Sequence, residues 1–219
     1  MAIKAIITGA TGMVGEAVLL ECLDNPRVER VLIINRRPAG VSHPKLRELI
    51  HADFFDLAPI ASQLTGYDAC FFCLGVSSVG MDAAQYRRAT YDLTLGVAQV
   101  LAKANSDLTF CYITGKGTDS SERGRLAWAR VKGATENALM RLFRRAYMFR
   151  PALMKATPGQ KHLNPYYKYL AWIYPIGRAL APNHFCSLQE VGRAMINAAA
   201  KGYRKQILEV PDIVALAKA

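Results

Sequence analysis

The stretch Ala5-Ile6-Ile7-Thr8-Gly9-Ala10-Thr11-Gly12-Met13-Val14-Gly15 decides how the rest of the chain is read. An apolar run from Ala2 to Ile7, interrupted only by Lys4, predicts a short buried strand, and glycines then recur every third residue into the apolar face of a helix. A strand, a tight turn and a helix start together gather unpaired backbone N–H groups and the positive end of a helix dipole. Gly9 is expected to make the turn, Gly12 to let the backbone approach a pyrophosphate, and Gly15 to let the helix lie close on the sheet, with Thr11, Met13 and Val14 lining the same turn. A glycine-rich turn that binds nothing would share the spacing, but a position directly after a first strand favours a dinucleotide site.

The run from Thr8 to Gly15, spaced Gly-x-x-Gly-x-x-Gly, resembles the TGxxGxxG signature of extended and atypical short-chain dehydrogenase/reductases. That resemblance implies a nicotinamide dinucleotide cofactor and a doubly wound α/β sheet. The alternation of apolar strand-like runs with helical patterns through the first half supports right-handed βαβ crossovers and a parallel sheet with helices on both faces. The chain of 219 residues suits a single domain over 1–219, with a small variable substrate-side lobe at about 155–186.

Composition narrows the function classes. Hydrophobic content of 52% fits a globular α/β protein. No basic-then-apolar leader precedes the first strand, and the apolar stretch Tyr169 to Pro182 is broken by Pro175, Gly177 and Arg178, so a cytoplasmic location is expected. Cys22, Cys70, Cys73, Cys111 and Cys186 mostly lie in apolar runs. Cys70 and Cys73 have Cys-x-x-Cys spacing, but residues three apart on a strand point to opposite faces. His43, His51, His162 and His184 are scattered without ligand spacing, so no metal is expected. The net charge of +11 suits a phosphate-rich ligand, nucleic acid or an anionic surface, and no nucleic-acid-binding motif accompanies it.

The second predicted strand, Val28 to Asn35, ends at Arg36-Arg37. In a doubly wound sheet this end faces the adenosine ribose, where an acidic residue selects the 2′-hydroxyl of NAD. Two arginines stand there instead, which predicts NADP(H) in preference to NAD(H). Solvated turn residues are the plain alternative. A third strand, Leu46 to Ala52, is followed by Asp53-Phe54, similar to the pair that the family places beside adenine. The fourth strand, Ala69 to Gly75, ends in Cys73-Leu74-Gly75, where relatives hold a small turn against the cofactor. A long helix is predicted over Ala83 to Asn105 and a fifth strand over Leu108 to Ile113.

In these reductases the fifth strand ends in Ser or Thr, here Thr114, and a following helix carries Tyr-x-x-x-Lys. Residues four apart share a helix face, so the lysine holds the nicotinamide ribose and lowers the pKa of the proton-donating tyrosine. This chain reads Trp128-Ala129-Arg130-Val131-Lys132. Lys132 is present, but Trp128 holds the tyrosine position, and an indole N–H donates a hydrogen bond without titrating. Lys116-Gly117 through Ser121, with Lys132-Gly133, resembles an atypical branch that includes the Tat-interacting protein and bacterial epimerase-like relatives. Its Ser-Ser-Lys-Gly is replaced here by Thr114-Gly115-Lys116-Gly117.

Two functions follow: an NADP(H)-dependent reductase of a small carbonyl or quinone, with Tyr112, Ser120, Ser121 or water as acid, or a non-catalytic NADP(H)-sensing module. The helix is expected to continue over Ala134 to Arg145, with Leu139, Leu142 and Phe143 inward and Arg141, Arg144 and Arg145 at its basic end. A sixth strand then enters Arg150-Pro151-Ala152, where the family's Arg-Pro-Gly passes the nicotinamide. Tyr166, Tyr167, Tyr169, Trp172 and Tyr174, interleaved with Lys161, Lys168 and Arg178, fit a pocket wall, a homodimer contact or a membrane surface. Ser187 to Glu190 reads as a capping box, and Ile207 to Val210 as a last strand closed by Pro211.

Overall fold

The computed structural model describes residues 2–163 and 166–219, with side chains described at all of these except 166–172. The elements are β1 (Ile3–Thr8), α1 (Met13–Asp24), β2 (Val28–Asn35), β3 (Leu46–Ile50), β4 (Ala69–Phe72), α2 (Ala83–Arg87), α3 (Leu93–Ala104), β5 (Thr109–Ile113), α4 (Ala127–Leu142) and β6 (Arg145–Arg150). They continue through β7 (Leu153–Lys155), α5 (Tyr166–Leu180), β8 (Phe185–Ser187), α6 (Leu188–Lys201), β9 (Ile207–Glu209) and α7 (Val210–Ala217).

Seven strands form one parallel sheet in the order β3-β2-β1-β4-β5-β6-β9, and β7 pairs with β8 in a small parallel sheet of its own. This is the Rossmann-like doubly wound arrangement. Near-continuous apolar strands account for it, since both sheet faces must be covered. Ile7, Ile33, Phe71, Cys111 and Phe149 pack under Val18, Leu19, Val191, Met195 and Ile213 from α1, α6 and α7. On the other face Ile6, Leu32, Phe72, Phe110 and Met148 pack with Val97, Leu101 and Leu139 from α3 and α4. Cys70 belongs to the second layer and Cys73 packs against the first, as their three-residue spacing demands.

The strand order reverses between β1 and β4, so the loops after these two strands diverge and leave a crevice at their carboxyl ends. That crevice positions the site.

Several boundaries differ from expectation. The helix predicted over Ala83 to Asn105 is interrupted by a π-helical turn at Arg88–Asp92, and it starts from a capping box of Asp82 and Gln85. Arg145 does not end a helix: α4 stops at Leu142, and Arg145 opens β6, donating to the Ala198 and Ala199 carbonyls at 3.1 and 2.8 Å, so it caps the end of α6 instead. Leu142 is turned outward, at 37% exposure. Pro211 does not close the last strand; it sits in the first turn of α7, where its missing N–H costs nothing. The Ser187–Glu190 capping box is formed, with Glu190 N donating to Ser187 Oγ at 3.0 Å and Ser187 N donating to Glu190 Oε2 at 2.7 Å. The aromatic side chains of Tyr166, Tyr167, Tyr169 and Trp172, and Lys168, lie outside the described residues. Among those described, no helix is long and apolar enough to cross a membrane, and no cluster of potential metal ligands occurs.

Candidate functional site: the crevice at the β1–β4 switch

Gly9 leaves β1 with φ of +73°, a conformation that strains any residue with a Cβ, and a Cβ there would lie 2.8 Å from the Cys73 carbonyl oxygen and the Leu74 nitrogen. The loops after β1 and β4 thus meet backbone to backbone. Gly15 is equally constrained: a Cβ would lie 2.1 Å from the Gly9 carbonyl oxygen, so its lack of a side chain seats α1 on the turn. Gly12 is the helix N-cap and offers no side chain to cap it, which leaves the N–H groups of Met13, Val14 and Gly15 without intrahelical acceptors. The stretch is therefore a cradle of free N–H groups at a positive helix end, suited to a pyrophosphate.

At the end of β2, Gly9, Thr11, Asn35, Arg36, Arg37, Phe54 and Leu74 enclose a small cavity. Arg36, Phe54 and Leu74 also line an adjoining cavity of about 260 Å³ with Asp53, Gly75 and Val76. Phe54 is buried and Asp53 is exposed, so the pair presents an apolar ring edge beside a carboxylate. One Asp53 oxygen already accepts from Phe55 N at 2.8 Å. Arg36 and Arg37 are exposed. Asn35 is buried; its Nδ2 donates to Glu48 Oε1 at 3.0 Å, while its Oδ1 is buried without a partner in the cavity wall. A buried acceptor of this kind is completed by a bound donor such as a ribose hydroxyl. Glu48 reaches across from β3 and also accepts from Ala39 N at 2.8 Å, so it fixes the loop that carries the two arginines. Its position thirteen residues from Asn35 gave no local signal; only the β2–β3 pairing brings it there.

At the other end of the crevice α4 places Trp128 and Lys132 one turn apart. Gly133 explains the approach: a Cβ there would lie 1.8 Å from the Asp119 carbonyl oxygen, so α4 abuts the loop after β5. Lys132 Nζ then donates to the Thr114 carbonyl. Burial holds the Lys132 pKa below its usual value, partly offset by the Glu136 carboxylate. The indole of Trp128 lies over Gly117, whose Cβ would come within 3.4 Å of it.

Thr114 contributes its carbonyl rather than a free hydroxyl. Its Oγ1 lies 2.6 Å from Glu136 Oε1 and 3.1 Å from the Phe149 carbonyl, so two buried acceptors compete for its single proton. Glu136 is fully buried and also receives Arg150 through Nε at 3.0 Å and through Nη2. Burial opposes the charge on Arg150, but its hydrogen bonds to Glu136 and the charges of Glu136 and Glu209 outweigh that, and its pKa rises.

Two of the hydroxyls that the sequence offered as acids are withdrawn from that role, Tyr112 by burial and Ser121 by its hydrogen bond to Asp119. Tyr112 is buried, which raises its pKa, an effect that the neighbouring Thr94 and Thr135 offset only in part. Ser121 Oγ donates to Asp119 at 2.6 Å, whereas Ser120 Oγ accepts from Arg150 at 2.5 Å and keeps its own proton. Burial pushes the Cys73 thiol up to about 12, which rules out a thiolate there at neutral pH. Lys116, whose N–H donates to the Pro151 carbonyl at 2.8 Å beside Ala152, holds its Nζ 3.1 Å from His184 Nδ1, a titratable pair that sequence spacing could not reveal.

Comparison with known proteins agrees with this geometry. The pattern of the NAD dependent epimerase/dehydratase family matches residues 5–118, just over half of the chain. The chain belongs to that family. Within it, the protein fmp52, mitochondrial, of Emericella nidulans is 33% identical over 162 residues, 70% of this chain and 67% of that protein. Protein HTATIP2 of Rattus norvegicus is 28% identical over 165 residues, 72% and 67% of the two chains. Both fall in the Tat-interacting-protein-like branch. Among solved structures, WbmF of Bordetella bronchiseptica in complex with NAD+ superposes with a TM-score of 0.67 at 18% identity, covering 99% of this chain and 76% of that one. MoeE5 in complex with UDP-glucuronic acid and NAD gives 0.68 at 16% identity, covering 98% and 81%. These two likenesses establish the fold. The family membership makes the glycine turn part of a nucleotide-cofactor fold rather than an isolated turn.

Proposed function

We propose that this protein binds NADP(H) in preference to NAD(H) and uses it to reduce a small carbonyl or quinone. The observation that carries the cofactor choice is the end of β2: two exposed guanidinium groups border the cavity, and Glu48 Oε1, which reaches Asn35 from β3, is taken by Asn35 and Ala39. Guanidinium groups match a 2′-phosphate and repel no part of it, whereas the acceptor that the cavity wall offers a ribose hydroxyl, Asn35 Oδ1, is a neutral amide and not the carboxylate that selects NAD.

In this reading the N–H groups of Met13, Val14 and Gly15 receive the pyrophosphate. Phe54, Leu74 and Gly75 flank adenine, and Asp53 accepts from its amino group. Asn35 Oδ1 takes a ribose hydroxyl. Cys73, Pro151 and Ala152 border the nicotinamide end, and Lys132, anchored on Thr114, holds the second ribose. When bound, the reduced nicotinamide supplies a hydride. The chain's own part is to orient it, to exclude water with the Trp128 indole, and to deliver a proton without a tyrosine. Lys116, whose Nζ lies 3.1 Å from His184 Nδ1 just after β5, is the donor that can hand a proton on through water. Quinone reduction asks least of such a site, because a quinone oxygen gains its proton readily from solvent.

A second reading is favoured by the same tryptophan: with no tyrosine at that position, Tyr112 buried and the Ser121 hydroxyl committed to Asp119, the protein holds NADP(H) and reports its redox state without turnover. One experiment separates the two. Calorimetric affinities for NADPH and NADH are measured for the wild type and for Arg36→Ala/Arg37→Ala, beside NADPH oxidation over a carbonyl and quinone panel. Tighter NADPH binding that the double variant loses by at least about tenfold, the scale of one charge-assisted contact, supports the cofactor assignment. Turnover on the panel supports the reductase, and binding without turnover that Trp128→Tyr does not improve supports the sensor. Equal affinity for both cofactors in the wild type would sink the assignment.

A further inference from the structure

After β7 the chain does not run straight on to α5 but crosses the start of α1. Gly159, at φ of +84°, makes a turn in which Thr157 N donates to Gln160 Oε1 at 2.7 Å and Gln160 N donates to the Thr157 carbonyl at 3.3 Å. Gln160 Nε2 then donates to the Met13 carbonyl at 2.7 Å. The next two residues bind one side chain: Lys161 N donates to Glu16 Oε1 and His162 N to Glu16 Oε2, both at 2.8 Å. Glu16 is buried to 6% exposure, and its Oε2 also lies 3.2 Å from His162 Nδ1. Four polar contacts therefore strap residues 160–162 onto the first turn of α1.

The strap has a consequence for the crevice. It sets His162 beside Thr11, Arg37 and Pro38, and these four residues enclose a cavity of about 280 Å³. Thr11 and Arg37 line both this cavity and the one at the end of β2, so the two spaces adjoin at these residues. With Nδ1 turned to Glu16, the ring nitrogen that remains is Nε2.

We propose that His162 is a specificity-determining residue for the cofactor, the group that, with Thr11 and Arg37, receives the 2′-phosphate from the side opposite the β2 edge. The inference rests on the NADP(H) reading above. The chemistry is that of a phosphate held by a guanidinium, a hydroxyl and an imidazole. Glu16 holds the ring through Nδ1, which leaves Nε2 for the phosphate. The substrate-side segment thereby recognises the feature that distinguishes the two cofactors, although it lies about 150 residues from the glycine turn in sequence.

The test is the ratio of NADPH to NADH affinity, measured by calorimetry at fixed ionic strength for the wild type, His162→Ala and His162→Arg. His162→Ala is expected to lose about tenfold in NADPH affinity, the scale of one charge-assisted contact, with NADH affinity unchanged, so that the preference falls by the same factor. His162→Arg, which keeps an N–H donor for the phosphate, is expected to retain the preference. An equal loss for both cofactors would reduce His162 to a brace of the strap and overturn the proposal, as would no loss at all. If the alanine variant does not fold, loss of preference in the folded arginine variant overturns it. A wild type that binds NADH as tightly as NADPH would instead overturn the underlying NADP(H) reading, before any variant is compared.

Discussion

Removing the Glu136 carboxylate should cost this protein more stability than any exposed charge can. Glu136 has no exposed side-chain surface, and its partner Arg150 keeps only 10%. Glu136→Ala deletes the acceptor for two nitrogens of that guanidinium and for the Thr114 hydroxyl. What remains for Arg150 is Ser120 Oγ and a 3.5 Å contact with Glu209, whose side chain is 44% exposed and screened. Leaving one member of a buried pair uncompensated costs about 3–5 kcal/mol. For a chain of this size each kcal/mol moves the melting temperature by about 2–4 °C, so a fall of roughly 6–20 °C is expected.

The pair as such need not be stabilising, because both ions lost water to reach one another. Glu136→Leu/Arg150→Met should therefore cost far less than the sum of its single changes, leaving a coupling energy above about 2 kcal/mol. Urea denaturation followed by circular dichroism on Glu136→Ala and on the four members of the Glu136→Leu/Arg150→Met cycle measures both quantities. A single-variant loss below about 1 kcal/mol, or a double variant equal to the sum of the singles, would refute the view that Glu136 and Arg150 are held as a desolvated pair.

Gly15→Ala drives a Cβ into the Gly9 carbonyl and should lift α1 from the turn, costing about 1–3 kcal/mol by thermal unfolding and abolishing dinucleotide binding; a variant that binds normally would contradict the cradle. Lys132 should titrate below 10.5 when its Cε signal is followed by NMR, and lower still in Glu136→Gln, which removes the charge opposing the effect of burial. Because the folded-state value is depressed, the penalty is full at neutral pH and relaxes as pH rises from the folded value toward 10.5, so this residue's contribution to stability improves with pH in that window. A Lys132 that titrates at or above 10.5 would remove the argument.

Much of the crevice was legible in the chain because its signals are local. A glycine needed for a positive φ, as at Gly9, or for the close approach at Gly15 lies within one turn of the atoms that require it, and the β2 terminus announces Arg36 and Arg37 by position alone. The apolar strands set a sheet covered on both faces, and the Ser187–Glu190 cap set the start of α6. Local reading erred where a residue answers to a distant partner. Arg145 satisfies the carbonyl end of α6 rather than its own helix, and Pro211, read as a strand end, opens α7.

What the sequence by itself determined was the covered parallel sheet, the glycine turn and the absence of a tyrosine at Trp128, since each depends on residue type and short spacing. Only the tertiary structure decided what the polar residues do. Glu48 reaches the β2 edge through strand pairing, Thr114 turns its hydroxyl to Glu136 and its carbonyl to Lys132, and His162 reaches the glycine turn because buried Glu16 captures two backbone N–H groups of a segment far along the chain. A buried polar group must be satisfied by whatever partner folding brings to it, and that partner's distance in sequence carries no signal.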